Sequence, residues 1–272
     1  MSRTIVITGA SDGIGAAAAR KLHALGEQVV VVGRSPERTA AVAAELGAPH
    51  FVADFAELAQ VRRLADELLQ RFPEIHVLAN NAGGIMGERS LTVDGYERTF
   101  QVNHLAPFLL TTLLLPALTA GRATVIQTAS QAARVFARFD IDDLQNARGY
   151  RADRAYGNGK LANILFTREL QRRYGDEGIA AVSFHPGIVA TSFASDTNHV
   201  MRWIYHTPLR RLFTISAERA ADDLVWLAQG TPGTTFVPGE YYDARRIATQ
   251  VNPDSVDPVL AEQLWERSAA MV

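Results

Sequence analysis

The chain has no cysteine among its 272 residues, which excludes disulfides, thiolate catalysis and cysteine-ligated zinc. It also lacks an excess of either charge: 27 Lys and Arg stand against 29 Asp and Glu, for a net charge of −2. No nucleic-acid partner is therefore expected, because such domains are usually basic or carry a basic stripe. Ser/Gly-rich linkers, internal repeats and low-complexity tracts are missing, so nothing marks a domain boundary. Met1-Ser2-Arg3-Thr4 leads at once into an apolar strand-like segment without a signal-peptide pattern. A cytoplasmic protein is the expectation. The one long stretch free of Asp, Glu, Lys and Arg, Thr99–Gly121, contains Gln101, Asn103, His104, threonines and prolines. That makes it a poor lipid-facing helix and a better buried or subunit-covered one, so no membrane span is expected. With 47% hydrophobic and 21% charged residues the chain is of ordinary globular composition.

What is present is a rhythm of short β-branched runs and longer amphipathic segments. Thr4–Thr8 reads as a strand, and Ile14–Leu25 as a helix ended by Gly26. Gln28–Val32 is a continuous apolar run suited to a strand buried on both faces. Strands are also expected at His50–Ala53, Ile75–Ala79, Thr124–Thr128 and Ile179–Phe184, with Glu240-Tyr241-Tyr242 ending a last one. Helices are expected at Pro36–Leu46, Glu57–Arg71, about 94–118, about 154–174 and Ala217–Ala228, with a closing helix at about 257–271. The alternation implies right-handed βαβ units. The expected fold is α/β: a single-domain, Rossmann-type, doubly wound parallel sheet of about seven strands over residues 1–272, with helices on both faces. The rhythm breaks between about 187 and 214, where Phe193, Met201, Trp203 and Tyr205 mix with arginines. This segment reads either as a substrate-binding loop lining an apolar pocket or as two short helices packed on the core.

Thr8-Gly9-Ala10-Ser11-Asp12-Gly13-Ile14-Gly15 joins the first strand to the first helix. Glycines there permit a tight turn and close approach to a pyrophosphate, and the helix offers free N–H groups and its positive dipole end. A dinucleotide is the expected cofactor. At the end of the second strand, an acidic residue would hydrogen-bond the ribose 2′-hydroxyl of NAD. This chain instead has Gly33, which leaves room, Arg34, suited to a phosphate, and Ser35, a further donor. NADP is thus preferred over NAD, with Asp12 opposing the same phosphate.

Three further clusters follow later strands: Asn80-Asn81-Ala82-Gly83, Ser130, and Tyr156-Gly157-Asn158-Gly159-Lys160. With the glycine loop, Asp54, Asn103 and Pro186-Gly187 followed by Thr191, they make the sequence resemble the short-chain dehydrogenase/reductase (SDR) family. Val102-Asn103-His104-Leu105 and Lys160-Leu161-Ala162-Asn163 are similar to its retinol dehydrogenase and WW-domain oxidoreductase branch. The resemblance implies catalysis by Asn103, Ser130, Tyr156 and Lys160, with Tyr156 as the proton donor or acceptor. A free phenol near pKa 10 is a sluggish acid at neutral pH, and Lys160, four residues on along the same helix face, favours its phenolate. The resemblance further implies that Ser130 holds the substrate oxygen, that Asn103 supports a proton-relaying water, and that Lys160 binds the nicotinamide ribose. Cofactor contacts are implied for Gly9, Ser11, Asp12, Gly13, Ile14 and Gly15 at the pyrophosphate, and for Arg34 and Ser35 at the 2′-phosphate. Asp54 would meet the adenine edge, or serve only as a surface cap. Asn81, Ala82 and Gly83 would run beneath the adenosine ribose, and Pro186, Gly187, Ile188 and Thr191 would meet the carboxamide. Gly159 departs from the family's usual serine and removes a hydroxyl expected near the cofactor.

The expected activity is interconversion of a lipophilic alcohol and its aldehyde or ketone. Reduction of a C=C bond or ring, and cofactor sensing with little turnover, are the alternatives. The seven histidines are scattered without metal-ligand spacing. A homodimer or homotetramer through the 99–121 and 154–174 helices is implied by the resemblance.

Overall fold

The computed structural model describes residues 2–187 and 216–272. Ile188, Thr191 and nearly all of the 187–214 segment lie outside the described residues. In chain order the elements run β1 (Thr4–Thr8), α1 (Gly13–Ala24), β2 (Gln28–Gly33), α2 (Pro36–Leu46), β3 (His50–Val52), α3 (Leu58–Arg71) and β4 (Val77–Asn80). Then come α4 (Arg98–Phe100), a π-helical turn (Gln101–Leu105), α5 (Ala106–Leu113), α6 (Leu115–Ala120), β5 (Thr124–Thr128) and α7 (Ala132–Val135). The remainder is α8 (Ala152–Tyr174), β6 (Ala180–His185), α9 (Ala217–Gln229), β7 (Tyr241–Asp243), β8 (Arg246–Ile247) and α10 (Pro258–Met271).

The strands form one sheet in the order β3-β2-β1-β4-β5-β6-β7-β8. Every pairing is parallel except β7 with β8. The valine-rich central strands are buried along nearly their full length because helices cover both faces. Val6, Leu78 and Val125 face α3, α5 and α8, whereas Ile5, Ile7, Val31 and Ile126 face α1, α2 and α9. Turn chemistry sets the helix ends: Ser35 caps α2 with Pro36 in its first turn, and Gly47 closes it at φ 59°.

Two expectations are corrected. There are eight strands rather than about seven: Ala244 and Arg245, at φ 48° and 62°, turn the chain back so that the two-residue β8 pairs antiparallel with β7. Such a turn usually carries Asn or Gly, so the sequence offered no hairpin signal. The expected continuous helix at about 94–118 is broken into α4, the π-turn, α5 and α6. The Ala106 N–H reaches back five residues to the Gln101 carbonyl. Pro107 has no N–H for the carbonyl four residues before it, and Pro116 opens α6 in the same way.

The uncharged run finds its cover within the chain. Ala106 through Thr111 are all buried. The inner face of α10, through Trp265, meets Phe108 of α5 at 5.0 Å and Phe166 of α8 at 5.6 Å between ring centroids. Among the described residues no helix is long and apolar enough to cross a membrane.

Candidate active site

The strand order reverses at β1, which has β2 on one side and β4 on the other. In an open α/β sheet this is where a crevice forms beyond the carboxyl ends of the strands. Gly9 leaves β1 at φ 66°, and a Cβ there would lie 2.9 Å from the Ala82 Cα. A Cβ on Gly15 would lie 2.4 Å from the Gly9 carbonyl oxygen and 2.8 Å from the Asn81 side chain. The glycine loop therefore packs directly on Asn81-Ala82. Thr8 ties the two together: its hydroxyl oxygen accepts from the N–H groups of Asn81 and Ala82, both at 3.0 Å, and donates to the Ala79 carbonyl. The Asn81 side chain donates in turn to the Thr8 carbonyl at 3.0 Å.

Asp12 caps α1, accepting from the Gly13 N–H at 2.7 Å, and the first turn of that helix has no acidic residue. Beside it, a Cβ on Gly33 would lie 2.4 Å from the Thr39 hydroxyl and 2.8 Å from that of Ser11. Gly33 thus lets β2 close on the glycine loop rather than leaving open room, a correction to the sequence reading. Ser35 is the cap of α2: it accepts from the Arg38 N–H and donates to Glu37, so its hydroxyl proton is engaged within the chain. Arg34 is exposed and has no ion pair among the described residues. Arg38 approaches Asp12 at 3.5 Å in an exposed pair, a geometry of small energetic value. Arg38 was not singled out from sequence, because only the close packing at Gly33 brings the start of α2 beside the glycine loop.

At the other end, Tyr156 and Lys160 stand one turn apart on α8. Lys160 is 2% exposed, and its ammonium lies 5.5 Å from the Tyr156 ring centroid. It donates to the Thr128 carbonyl at 2.8 Å, its only hydrogen bond among the described residues. Burial pulls its pKa down to about 7, since desolvation penalises the charged form. Asn103 projects from the π-turn onto the loop after β4. Its amide group donates to the carbonyls of Gly84 and Thr99, and its oxygen accepts from the Gly84 N–H. A Cβ on Gly83 would lie 2.6 Å from the Asn103 oxygen and 3.2 Å from the Lys160 ammonium. Only glycine admits both groups there. Ser130 follows Thr128 by two residues, and its oxygen accepts from the N–H of Ala132, the first residue of α7, at 3.2 Å.

Gly159 turns its missing side chain toward the π-turn, with the Asn103 Cβ 3.3 Å from where a Cβ would sit. The absent hydroxyl therefore points at Asn103, which the sequence reading did not foresee. Asp54 accepts from the Ala56 N–H, so one oxygen closes a local turn, as the surface-cap alternative has it. Pro186 and Gly187 follow β6, with Gly187 at φ 85°. A second buried tyrosine, Tyr241, is held protonated: burial, then Asp243 and Tyr156, push its phenol up. Thr8 and Thr128, which fasten the two halves of the site, were also missed. A threonine ending a strand carries no signal until its neighbours in the sheet are known.

A family model described as short chain dehydrogenase matches residues 3–201. The chain belongs to the short chain dehydrogenase family. It is accordingly an NAD(P)-dependent oxidoreductase acting on CH–OH or C=O groups. This dehydrogenase is 45% identical over 99% of its length to 92% of the "Putative daunorubicin C-13 ketoreductase DnrU" of Streptomyces sp. (strain C5). It is 33% identical over 99% of its length to 84% of retinol dehydrogenase 13 of Homo sapiens. Among solved structures, a protein from Mycobacterium paratuberculosis superposes with TM-score 0.75 at 32% identity, covering 99% of this chain and 92% of that one. The RhlG/NADP active-site complex of Pseudomonas aeruginosa does so with TM-score 0.69 at 27% identity, covering 89% of this chain and 94% of that one.

Proposed function

We propose that this dehydrogenase is an NADP-preferring enzyme interconverting a lipophilic alcohol and its aldehyde or ketone, with Tyr156 as the proton donor and acceptor. The observation that carries the reading is the buried Lys160 ammonium, pinned to the Thr128 carbonyl one turn from Tyr156 and facing Gly83 and Asn103. A buried ammonium with a single acceptor among the described residues has N–H groups left for hydroxyl oxygens of a bound nucleotide. The glycine loop, with Gly9 and Gly13 at positive φ and leading into the N-terminus of α1, suits a pyrophosphate.

Gly9, Ser11, Asp12, Gly13, Ile14 and Gly15 would hold the pyrophosphate, Arg34 and Ser35 the 2′-phosphate, and Asp54 the adenine. Asn81, Ala82 and Gly83 would lie under the adenosine ribose, Lys160 at the nicotinamide ribose, and Pro186, Gly187, Ile188 and Thr191 at the carboxamide. When bound, the nicotinamide supplies or accepts the hydride. Ser130 holds the substrate oxygen, and Tyr156 gives that oxygen a proton as negative charge develops on it. Lys160 stabilises the phenolate left behind. Asn103 holds the water through which Lys160 is resupplied with protons.

A relative named for ketoreduction and another for retinol oxidation support a lipophilic C=O/CH–OH substrate. The RhlG/NADP complex supports NADP. The reading takes residues 1–272 as one domain in the cytoplasm, with the 187–214 segment as its substrate-binding loop. A homodimer or homotetramer would have to use surface other than the parts of α5 and α8 that α10 covers. The test is a panel of aldehydes, ketones, retinoids and polycyclic ketones followed by NADPH and NADH absorbance. Hydroxyl products and a lower KM for NADPH are expected. Products saturated at C=C, or a clear preference for NADH, would contradict the reading.

A further inference from the structure

The C-terminal helix α10 lies beyond the residues matched by the family model, 3–201. Its inner face, Ala261, Leu264, Trp265 and Ser268, is buried against the body of the protein. Ser268 is fully buried, and its hydroxyl shares a 2.9 Å hydrogen bond with Nε2 of His104. His104 is the residue after Asn103 and belongs to the same π-turn. Its ring is caged by Phe100, Phe108 and Phe166, with centroids 5.2, 6.1 and 6.1 Å away. Burial drives its pKa down to about 3, against a smaller opposing effect of Asn163, so the ring is neutral at working pH. One more bond ties α10 to the segment leading into α4 and the π-turn: the Tyr96 hydroxyl donates to the Met271 carbonyl at 2.5 Å.

A π-turn is a register defect that a helix holds only where its surroundings favour it. Here it presents Asn103 to the Gly83-Gly84 backbone and, through Gly83, to Lys160. The inward side is fixed by the Asn103 bonds. The outward side is fixed by His104, and His104 is fixed by a residue of α10. We propose that α10 is a clamp on the π-turn, and that Ser268, acting through His104, is a positioning residue for Asn103. Nothing in α10 touches the reacting atoms in this account; it sets the register of the residue that supports the proton relay. The inference rests on the Asn103 role proposed above.

The test compares Ser268→Ala, Tyr96→Phe and Asn103→Ala with the native chain, below their melting temperatures. It follows amide hydrogen exchange over residues 99–108 without cofactor, and kcat and KM for one reducible carbonyl with NADPH. Loss of a buried polar contact and the resulting misplacement should lower kcat of Ser268→Ala by about tenfold, with KM within about twofold. Exchange over the π-turn should rise, and Tyr96→Phe should show the same pattern more weakly. A purely structural Ser268 would lower the melting temperature and leave kcat unchanged. Native-like exchange and kcat in Ser268→Ala, beside an Asn103→Ala variant that has lost turnover, would overturn the clamp. Full turnover in Asn103→Ala would instead overturn the Asn103 role on which the clamp depends.

Discussion

Lys160 is the residue whose chemistry is set most directly by its surroundings. Its folded pKa of about 7 lies below the value of 10.5 for a free lysine. Between these values the unfolded chain binds more protons than the folded one, so stability rises with pH across that window. The cost of the buried charge is fully present below pH 7. Lys160→Met should therefore raise the melting temperature of the cofactor-free protein at pH 6 by several degrees. The gain should shrink toward pH 10, and turnover should be lost; calorimetry across that range checks the first two. A second prediction concerns the corner of β2. On the proposed role of Arg34 at the 2′-phosphate, Arg34→Ala takes away a charge-assisted contact, so the KM for NADPH should rise about tenfold or more while that for NADH holds. The spacing of Tyr156 and Lys160 was enough to put both on one helix face, whereas Ser130 was singled out only by the family resemblance. Arg38 was not legible, because its place depends on Gly33 letting two loops touch.

At the scale of elements, the two glycines flanking Asn158 on α8 have opposite surroundings. A Cβ at Gly157 would lie 2.7 Å from the Ala137 nitrogen and 2.8 Å from the Ala132 carbonyl, both backbone. At Gly159 its closest neighbour would be the Asn103 Cβ at 3.3 Å. Gly157→Ala should thus cost about 1–3 kcal/mol and shift α7, whose first N–H donates to Ser130. Gly159→Ala gains about 1 kcal/mol of helix propensity against a mild crowding and should change stability less. Urea melts of the two variants separate these outcomes. Both glycines look alike in sequence, and only the packing of α7 and the π-turn on α8 tells them apart. The π-turn was illegible for a related reason: apolar periodicity over 94–118 does not register one extra residue in a turn. β8 was missed because two residues carry no period at all and Ala244-Arg245 is an unusual turn.

At the scale of the whole molecule, the alternation of strands and helices was readable for most of the described residues because the buried strands are short apolar runs and the helices amphipathic. Which surfaces those helices meet was not. The uncharged stretch at 99–121 suggested a helix either buried or covered by a subunit, and part of its apolar side is met by α10 through Trp265, Leu264 and Ser268. A helix more than 130 residues later in the chain supplies the cover, and no local pattern announces that pairing. The result is a candidate site at the carboxyl ends of the central strands β1, β4 and β5, completed by the π-turn and α8 and supported from behind by α10.

The central claim is that this assembly makes Tyr156 the proton donor. Tyr156→Phe removes one hydroxyl from a buried ring and leaves Lys160, Asn103 and the glycine loop in place. Steady-state turnover of a carbonyl substrate, measured beside NADPH affinity in the same preparation, tests it most directly. The account predicts native NADPH binding with kcat lowered by about 10²–10⁴-fold. A Tyr156→Phe protein that binds NADPH and turns over at the native rate would contradict it.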